Sequence, residues 1–557
     1  MKKFALFGLT LLVVLAFALT SCAPAPEATP TVVEEPTEEE VPVVEEEAGP
    51  VVLNWNIGAD PKTIDPGLNG ASDGGDVIGQ TFEGLFREKS GVVQPGIAKD
   101  FDVSEDGLTY TFNLRESNWS DGTPLTANDF VYGWKRAADP ATASEYSWIW
   151  EYTNVVGSQA FAEGTGTAEE MGVKALDDYT LEVKLIAPTD YFASLSSFYH
   201  FMPVKQSAVE AGPDGTWASD PALAVSNGPF KLVEYTIGEG LKLVKNEEYW
   251  AADTVLIAEI NGKFIDDANT AYAAYQAGDL DFIPSVPTAE IPRLIAEDPN
   301  FYVFPLLGTY YYNFNMDLDL WADANVRRAL TLGIDRQKIA DTLASGQVPA
   351  GGFIPPGFAD DKGNDFFETA GLYGLYTDDS GIAEAQQLLA DAGYPGGEGF
   401  PEFVLLYNTS EGHQTVAELV QEDFKTNLGI TCTLENQEWA VFQDTRTQGN
   451  YEMARGGWLT DFMDPSGLLA IFQDGNAYND PNYFNADFET AMAAALATTD
   501  KAEHYAELYK AQEILMTDLP IIPVYHYSDT MLASESVVGW DRSVLGQMDF
   551  STATVVK

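Results

Sequence analysis

The chain has 557 residues, 45% of them hydrophobic, which is enough for more than one hydrophobic core, so two or more lobes are expected. It carries 86 acidic and 29 basic side chains, a formal net charge of −57. This charge excludes nucleic acid and an anionic membrane surface as partners, because both are themselves negative. The acidic surface fits either a salty habitat or simply a well-solvated exterior.

The first 22 residues have the pattern of a secretion signal. Two lysines precede an apolar run, Phe4–Leu19, that is shorter than the roughly 20 residues of a membrane span. Small residues then lead to Cys22, which is typical of a bacterial lipoprotein signal. An ordinary secretory signal with an incidental cysteine is the alternative. We expect cleavage before Cys22 and lipidation of that residue.

Residues 23–50 are predicted to be an extended tether. They contain nine Glu, several Pro and no basic residue. Such a composition cannot bury a hydrophobic core and stays solvated. The folded body is therefore expected to be 51–557.

Strand and helix patterns alternate along the body, which predicts an α/β class with mixed sheets. The stretches at 108–115 and 179–185 alternate apolar and polar residues as strands do. Thr126 and Asp129 form a capping box that begins a helix. Further helices are predicted within 325–343 and 379–397.

Aromatic residues are more frequent than a core requires, with 26 Tyr and 11 Trp. They cluster at 146–152, 309–315 and 524–529, and some are expected to line a cavity. The second cysteine of the chain, Cys432, lies in a strand-like run and is expected to be a buried small apolar residue.

Catalytic and metal-binding patterns are absent from the sequence. The four histidines form no HExxH motif, and no Cys/His group has zinc spacing. Gly70–Gly74 matches GxSxG, but a turn-like stretch precedes it where a nucleophile elbow needs a strand. Chance carboxylate pairs are unavoidable among 86 acids. We expect no enzyme activity, no metal and no cofactor.

The stretch GGWLTDFMDPSG (456–467) places Asp461 among large apolar side chains. A buried acid needs a partner. The stretch contains no lysine or arginine, and Arg455 lies just outside it. From the residues alone, either Asp461 caps its own turn or its partner is a ligand.

The chain resembles the extracellular solute-binding proteins of peptide ABC importers (family 5), specifically the oligopeptide-binding type, over nearly all of 51–557. The stretches that carry the resemblance are TFEGLFR (81–87), FNLRESNWSDGTPLTANDFVYGWKR (112–136), SNGPFKLVEY (226–235), YYYNFN to NVRRALTLGIDR (310–336), LLYNTSEGHQ (405–414), 436–467 and LPIIPVYHYSD (519–529).

The resemblance implies a two-lobed, periplasmic-binding-protein-like fold with a hinge and an extra domain on the first lobe. The implied segments are 51–84, 205–307 and 528–557 for lobe 1, 85–204 for the extra domain, and 308–527 for lobe 2. In some relatives a disulfide ties the acid-bearing strand to its neighbour, and here Gly308 and Leu459 hold those places.

The family also implies roles for single residues. Asp461 would bind the α-ammonium group of a peptide, and Arg455 and His413 would meet its carboxylate. The implied main-chain and pocket contacts are Gly70, Ala71, Ser72, Gly457, Trp458, Leu459, Trp439 and Tyr132. Pockets of this type are roomy and hydrated, so selectivity for side chains should be weak.

The function implied is that of a monomeric, lipid-anchored receptor on the outer face of the cytoplasmic membrane. It would deliver short peptides to the permease subunits of an ABC transporter. Within the family, a dipeptide, an oligosaccharide or a metal chelate is the alternative solute. An extracellular hydrolase is the alternative from another class.

Overall fold

The computed structural model describes residues 50–556 apart from Gly91, Asp190 and 213–214. The predicted signal peptide, Cys22 and the predicted tether up to Gly49 lie outside the described residues. In the described part, no helix is both long enough and apolar enough to cross a membrane.

Strands and helices alternate along the chain, as predicted for an α/β protein. The strands are β1 (Val52–Asn56), β2 (Phe86–Lys89), β3 (Val92–Pro95), β4 (Ala98–Val103), β5 (Thr109–Leu114), β6 (Ser117–Asn118), β7 (Pro124–Leu125), β8 (Val173–Asp177), β9 (Thr180–Lys184), β10 (Phe230–Thr236), β11 (Gly240–Lys245), β12 (Glu259–Lys263), β13 (Phe282–Ile283), β14 (Phe301–Phe314), β15 (Val348–Pro349), β16 (Phe403–Asn408), β17 (Cys432–Gln437), β18 (Met453–Leu459), β19 (Ile521–Ala533), β20 (Val537–Val538), β21 (Asp541–Arg542), β22 (Met548–Asp549) and β23 (Thr554–Val555). The α-helices are α1 (Ser72–Thr81), α2 (Ala127–Ala138), α3 (Ile149–Tyr152), α4 (Ser158–Ala162), α5 (Phe192–Leu195), α6 (Gln206–Ala211), α7 (Ala268–Ala277), α8 (Ile291–Glu297), α9 (Ala324–Leu332), α10 (Arg336–Leu343), α11 (Phe366–Ala370), α12 (Ile382–Asp391), α13 (Glu411–Asp423), α14 (Trp439–Thr447), α15 (Ser466–Leu469), α16 (Ala486–Ala497) and α17 (Lys501–Asp518).

One large mixed sheet runs through both predicted lobes. Its strand order is β10-β11-β12-β1-β13-β19-β14-β18-β16-β17, with β15 beside β19. β1 is parallel to β12 and β13, and β16 is parallel to β17 and β18, whereas the other neighbours are antiparallel. The predicted α/β class with mixed sheets is confirmed.

β14 and β19 are the longest strands and join the two halves of this sheet. They pair antiparallel, but their pairing stops after Pro305 and resumes at Thr309. In the gap, the backbone N–H of Leu307 donates to Val544, and its carbonyl accepts from the backbone N–H of Thr460 at 2.8 Å. The lobe boundaries predicted for these two strands lie at this gap, and they stay predictions.

A separate antiparallel sheet of four strands, β4-β5-β9-β8, lies within the segment 85–204. Phe112, Leu181 and Val183 are fully buried beneath it, as the alternation of apolar residues predicts. This segment was predicted to be the extra domain, and its limits stay a prediction.

Helix α2 packs beside that sheet and begins at the predicted capping box. The backbone N–H of Thr126 donates to the Asp129 carboxylate at 2.7 Å. Phe130 and Trp134 are fully buried on the inner side of the helix, and the Trp134 indole donates to the Phe201 carbonyl at 2.7 Å. The cap thus fixes where the helix begins and which side faces the core.

The remaining local predictions are also met. α9 and α10 form the predicted helix pair, and α12 ends before Gly393, whose φ of +99° favours glycine. Cys432 is a free, buried cysteine in β17, and burial raises the pKa of its thiol to about 12.

Candidate functional site

A cavity of about 410 Å³ lies between residues of both predicted lobes, and we call it the cleft. Nine of the eleven predicted site residues line it: Gly70, Ala71, Ser72, Trp439, Arg455, Gly457, Trp458, Leu459 and Asp461. In the described part of the chain, no group of His, Cys, Asp and Glu could hold a metal ion.

Strand β18 offers a free backbone edge to the cleft. On one side it pairs with β14 along its whole length. On the other side β16 pairs only with Met453 and Ala454. Among the described strands, none pairs with 455–459 on that second side. An extended chain can therefore add to β18 there by ordinary strand pairing.

Gly70, Ala71 and Ser72 form another part of the wall. Ala71 has extended backbone angles, and Ser72 begins α1. The residues before them form a turn in which the Asn69 N–H donates to the Asp65 carbonyl at 2.9 Å. Because a turn and not a strand leads into the helix, the GxSxG match does not build a nucleophile elbow.

Asp461 is only 6% exposed and faces the cleft. Its Oδ1 accepts a hydrogen bond from the Tyr146 hydroxyl at 3.2 Å, and its Oδ2 has no hydrogen-bond partner. No cation among the described residues pairs with it. Burial raises the pKa of Asp461 well above its usual value, and the hydrogen bond from Tyr146 opposes this only in part.

The geometry does not support the alternative that Asp461 caps its own turn. Asp464 has that role, because its Oδ1 accepts from the backbone N–H of Ser466 at 2.9 Å. Asp464 is also held by His504, whose Nε2 lies 3.0 Å from Oδ2 and whose Nδ1 lies 2.8 Å from the Ala495 carbonyl. Burial alone would lower the pKa of His504, but the Asp464 carboxylate outweighs it and raises that pKa.

Aromatic rings of the predicted extra domain enclose the loop that carries Asp461. Tyr146 stacks on Trp458 with ring centroids 6.0 Å apart, and Tyr191 stacks on Phe462 at 4.9 Å. Tyr146 was not singled out from the sequence, although the aromatic cluster at 146–152 was the signal that marked it. The rings exclude water from the Asp461 carboxylate, which makes the charged form less stable unless a counter-charge is present.

Arg455 is a second buried charge without a counter-charge. Its Nη2 donates to the Tyr527 hydroxyl at 2.7 Å, and its guanidinium lies 5.1 Å from the Tyr310 ring centroid. The neighbouring Arg446, by contrast, pairs with Asp480 at 2.8 Å. Within the described residues, no carboxylate forms an ion pair with Arg455.

Two of the predicted site residues do not line the cleft. His413 packs against Tyr310, with ring centroids 5.5 Å apart. Burial, and to a smaller extent the positive charge of Arg455, lowers the pKa of His413 well below its usual value. This direction disfavours the charged form that a peptide carboxylate would need. Tyr132, on α2, is half-buried and packs against the hydrophobic core.

Gly308 and Leu459 stand directly opposite each other in the β14–β18 ladder. These are the places where some relatives have a disulfide. A Cβ at Gly308 would lie 2.3 Å from the Trp458 carbonyl oxygen, so the strands approach closely here. Hydrogen bonds of the ladder join the two strands at this point.

Comparison with known proteins identifies the family. The pattern of "Bacterial extracellular solute-binding proteins, family 5 Middle" matches residues 92–480. The oligopeptide-binding protein OppA of Bacillus subtilis is 36% identical over 91% of this chain and 93% of its own length.

Solved structures also indicate how the lobes are arranged. The OppA of Haemophilus influenzae in complex with RPPGFSPFR has a TM-score of 0.83 at 32% identity, covering 92% of this chain and 100% of that chain. The Escherichia coli murein tripeptide-binding protein MppA in its unliganded open form has a TM-score of 0.63 at 32% identity, covering 92% and 98%. The two structures have nearly equal identity and coverage, but the TM-score is higher for the peptide complex. The lobes here are therefore arranged more as in the peptide complex than as in the open form. The chain is a member of family 5 of the bacterial extracellular solute-binding proteins, with their two-lobed fold.

Proposed function

We propose that this protein captures short peptides between its lobes and delivers them to the permease of an ABC importer. The observation that carries the proposal is the pair of buried, opposite charges, Asp461 and Arg455, that line one cleft. A peptide with free termini has the two complementary charges. The names of the relatives, an oligopeptide-binding protein and a murein tripeptide-binding protein, support a peptide as the ligand.

The peptide main chain would pair with the free edge of β18 at Gly457–Leu459 and approach Gly70–Ser72 on the facing wall. Backbone hydrogen bonds of this kind provide affinity that is independent of side-chain identity. Trp439 and Trp458 would contact the peptide side chains, with water filling the remaining space.

The same two charges make closure depend on the ligand. Closing the lobes on an empty cleft leaves Asp461 and Arg455 out of water and without a partner, which is unfavourable. A bound peptide supplies both partners, so it shifts the population toward the closed form. A closed complex is the form that we expect the permease to recognise.

The two charges suit a ligand with two charged ends. The guanidinium of Arg455 lies over Gly457, because a Cβ at Gly457 would be 2.9 Å from Nη2. Asp461 follows two residues after the end of β18. A peptide with free termini offers one charge to each of these residues, whereas a neutral oligosaccharide offers neither.

Lipidation of Cys22 is part of the proposal, and it rests on the small residues before that cysteine. It would place the protein, as a monomer, on the outer face of the cytoplasmic membrane beside its permease. Acyl chains contribute roughly 0.8 kcal/mol per buried CH₂, and two chains give stable anchoring.

The anchoring is tested by Cys22→Ala in the full-length protein. We expect the variant either to remain unprocessed or to leave the membrane fraction, because no acyl chain can be attached. Fractionation with mass spectrometry of the N-terminus measures both. A membrane fraction and a cleavage site identical to the wild type would contradict lipidation.

The role of Asp461 is tested with a tripeptide and its N-acetylated form. Acetylation removes the ammonium group and leaves Asp461 buried without a counter-charge. Losing one member of a buried pair costs about 3–5 kcal/mol, so we expect affinity to fall by about two to four decades. Asp461→Asn should weaken the free peptide strongly and the acetylated peptide little further, as measured by calorimetry.

The matched control for Asp461→Asn is Asp487→Asn, an exposed position at the start of α16. It should leave both affinities unchanged. Equal affinity of the wild type for free and acetylated peptide would refute the ammonium role of Asp461.

The role of Arg455 is tested with Arg455→Leu and C-terminal amidation. For a tripeptide or tetrapeptide, amidation should weaken binding to the wild type by about 100-fold or more, since a buried charge-assisted bond is lost. It should have little effect on Arg455→Leu. Arg328→Leu, whose side chain pairs with Glu384 outside the cleft, is the control. An equal effect of amidation on all three proteins would show that another group meets the carboxylate.

Closure of the empty protein should depend on pH through Asp461. Its pKa is raised in the closed form relative to an open, solvated form, so protonation favours closure. The closed fraction should therefore rise as pH falls through the raised pKa and be lost as pH rises. Each unit of difference in pKa favours closure by about tenfold.

Small-angle scattering of the peptide-free protein measures this change in radius. Asp461→Asn, which cannot ionise, should be compact at neutral as well as at acidic pH. A wild-type radius that is independent of pH, or a variant as open as the wild type at neutral pH, would contradict the coupling.

A further inference from the structure

The loop 460–465, between β18 and α15, presents one acid to each of two cavities. Asp461 lines the cleft. Asp464 lines a second cavity of about 470 Å³, which also has residues of α16 and α17 and Tyr191 and Ser194 of the predicted extra domain in its wall. Among the described residues, none lines both cavities. The loop therefore connects the second cavity with the cleft.

Asp464 sets the shape of this loop. Its Oδ1 accepts from the backbone N–H at the start of α15, and its own N–H donates to the Phe462 carbonyl at 2.8 Å. The backbone N–H of Met463 donates to the Ser194 hydroxyl at 3.3 Å, which ties the loop to the predicted extra domain. Asp461 directly precedes Phe462, so the direction of its side chain depends on how firmly Asp464 is held.

His504, on α17, holds the other carboxylate oxygen of Asp464. Its Nε2 lies 3.0 Å from Asp464 Oδ2, and its Nδ1 lies 2.8 Å from the Ala495 carbonyl oxygen. An ionised carboxylate and a carbonyl are both acceptors, so each ring nitrogen must carry a proton to form its hydrogen bond. A neutral imidazole has a single N–H and can form only one of the two bonds. The geometry is thus that of the charged ring.

The charges around His504 favour this protonated form. Burial would lower the pKa of His504, and the charge of Lys501 acts in the same direction. The hydrogen bond and the charge of Asp464, together with the Ala495 carbonyl, outweigh both and raise that pKa above its usual value. Asp500 accepts from a backbone N–H of its own helix. The other titratable groups in the wall of the cavity or beside His504 are Tyr191, Tyr505 and Glu503, and Glu503 accepts from the Thr498 hydroxyl.

We propose that protonated His504 is a positioning residue for peptide binding, because its bond to Asp464 fixes the loop from which Asp461 meets the peptide ammonium. When the ring loses its proton, one of its two hydrogen bonds is lost and the loop is held less firmly. Peptide affinity is therefore full at low pH and falls as pH rises through the titration of His504, although His504 does not line the cleft. This inference rests on the proposed role of Asp461.

Histidine NMR of the wild type tests the coupling without a substitution. The chain has four histidines, and burial lowers the pKa of three of them, His200, His413 and His526. His504 is therefore the one expected to titrate near neutral pH. Linkage is reciprocal, so a tenfold gain in peptide affinity on protonation raises the pKa of His504 by about one unit when trialanine is bound. A pKa that trialanine leaves unchanged would overturn the inference.

The pH profile of affinity is measured by calorimetry with trialanine. The peptide α-amino group itself titrates at about pH 7.7–8.0, but this affects every variant alike. Glutamine resembles the neutral ring in having one nitrogen that donates, so His504→Gln serves as its mimic. We expect the wild type to bind about tenfold more tightly than His504→Gln below the pKa of His504 and about equally above it.

Lys501→Met should move this pH profile in a known direction. Removing the ammonium group of Lys501 raises the pKa of His504, so the loss of affinity should occur at higher pH than in the wild type. The matched control is Lys510→Met, an exposed lysine of the same helix that pairs with Glu507 and does not line the second cavity. It should leave the profile unchanged.

The outcomes separate this inference from the proposed function. If trialanine binds and the affinity ratio of wild type to His504→Gln is the same at every pH, the inference fails and the proposed function stands. If acetylated and free trialanine bind equally, the ammonium role of Asp461 fails and the inference fails with it. If His504→Gln does not fold, the NMR titration of the wild type decides.

Discussion

The chemistry of the cleft depends on one unfavourable arrangement: the Asp461 carboxylate is buried without a counter-charge. In a cleft lined by aromatic rings, Tyr146 satisfies only one of its oxygens. A folded protein tolerates such a group where a ligand supplies the missing charge. In the same cleft, the buried guanidinium of Arg455 forms no ion pair with any carboxylate of the described residues. In the proposed complex, these two residues would bind the ammonium group and the carboxylate at the two ends of one peptide.

The sheet explains how the fold presents these two residues beside a free backbone edge. Arg455 lies on β18, whose register against β14 is set along seven residue pairs, and Asp461 follows two residues after the end of that strand. β16 stops pairing after Ala454, so among the described strands the edge of β18 beyond that point stays free. In the proposed complex, one strand would provide both a charge and a surface for main-chain pairing.

Local features could be predicted from the sequence because they depend on residues close in the chain. The capping box at Thr126, the alternation in β5 and the burial of Cys432 are of this kind. The resemblance to a known family pointed to nine residues that line the cleft, but it also carried over Tyr132, which packs against the core, and it did not include Tyr146. Which ring of an aromatic cluster meets a distant acid depends on tertiary packing. The pairing of β14 with β19 across about 200 residues likewise has no local signal.

In the proposed complex, affinity and selectivity would come from different contacts. Pairing with a strand edge provides affinity that does not depend on side chains. The proposed roles of Asp461 and Arg455 would add a requirement for a free terminus at each end of the peptide. Trp439 and Trp458 would contact side chains in a hydrated space, so side-chain identity would contribute little. A receptor of this design would accept many peptides and reject those whose ends are blocked.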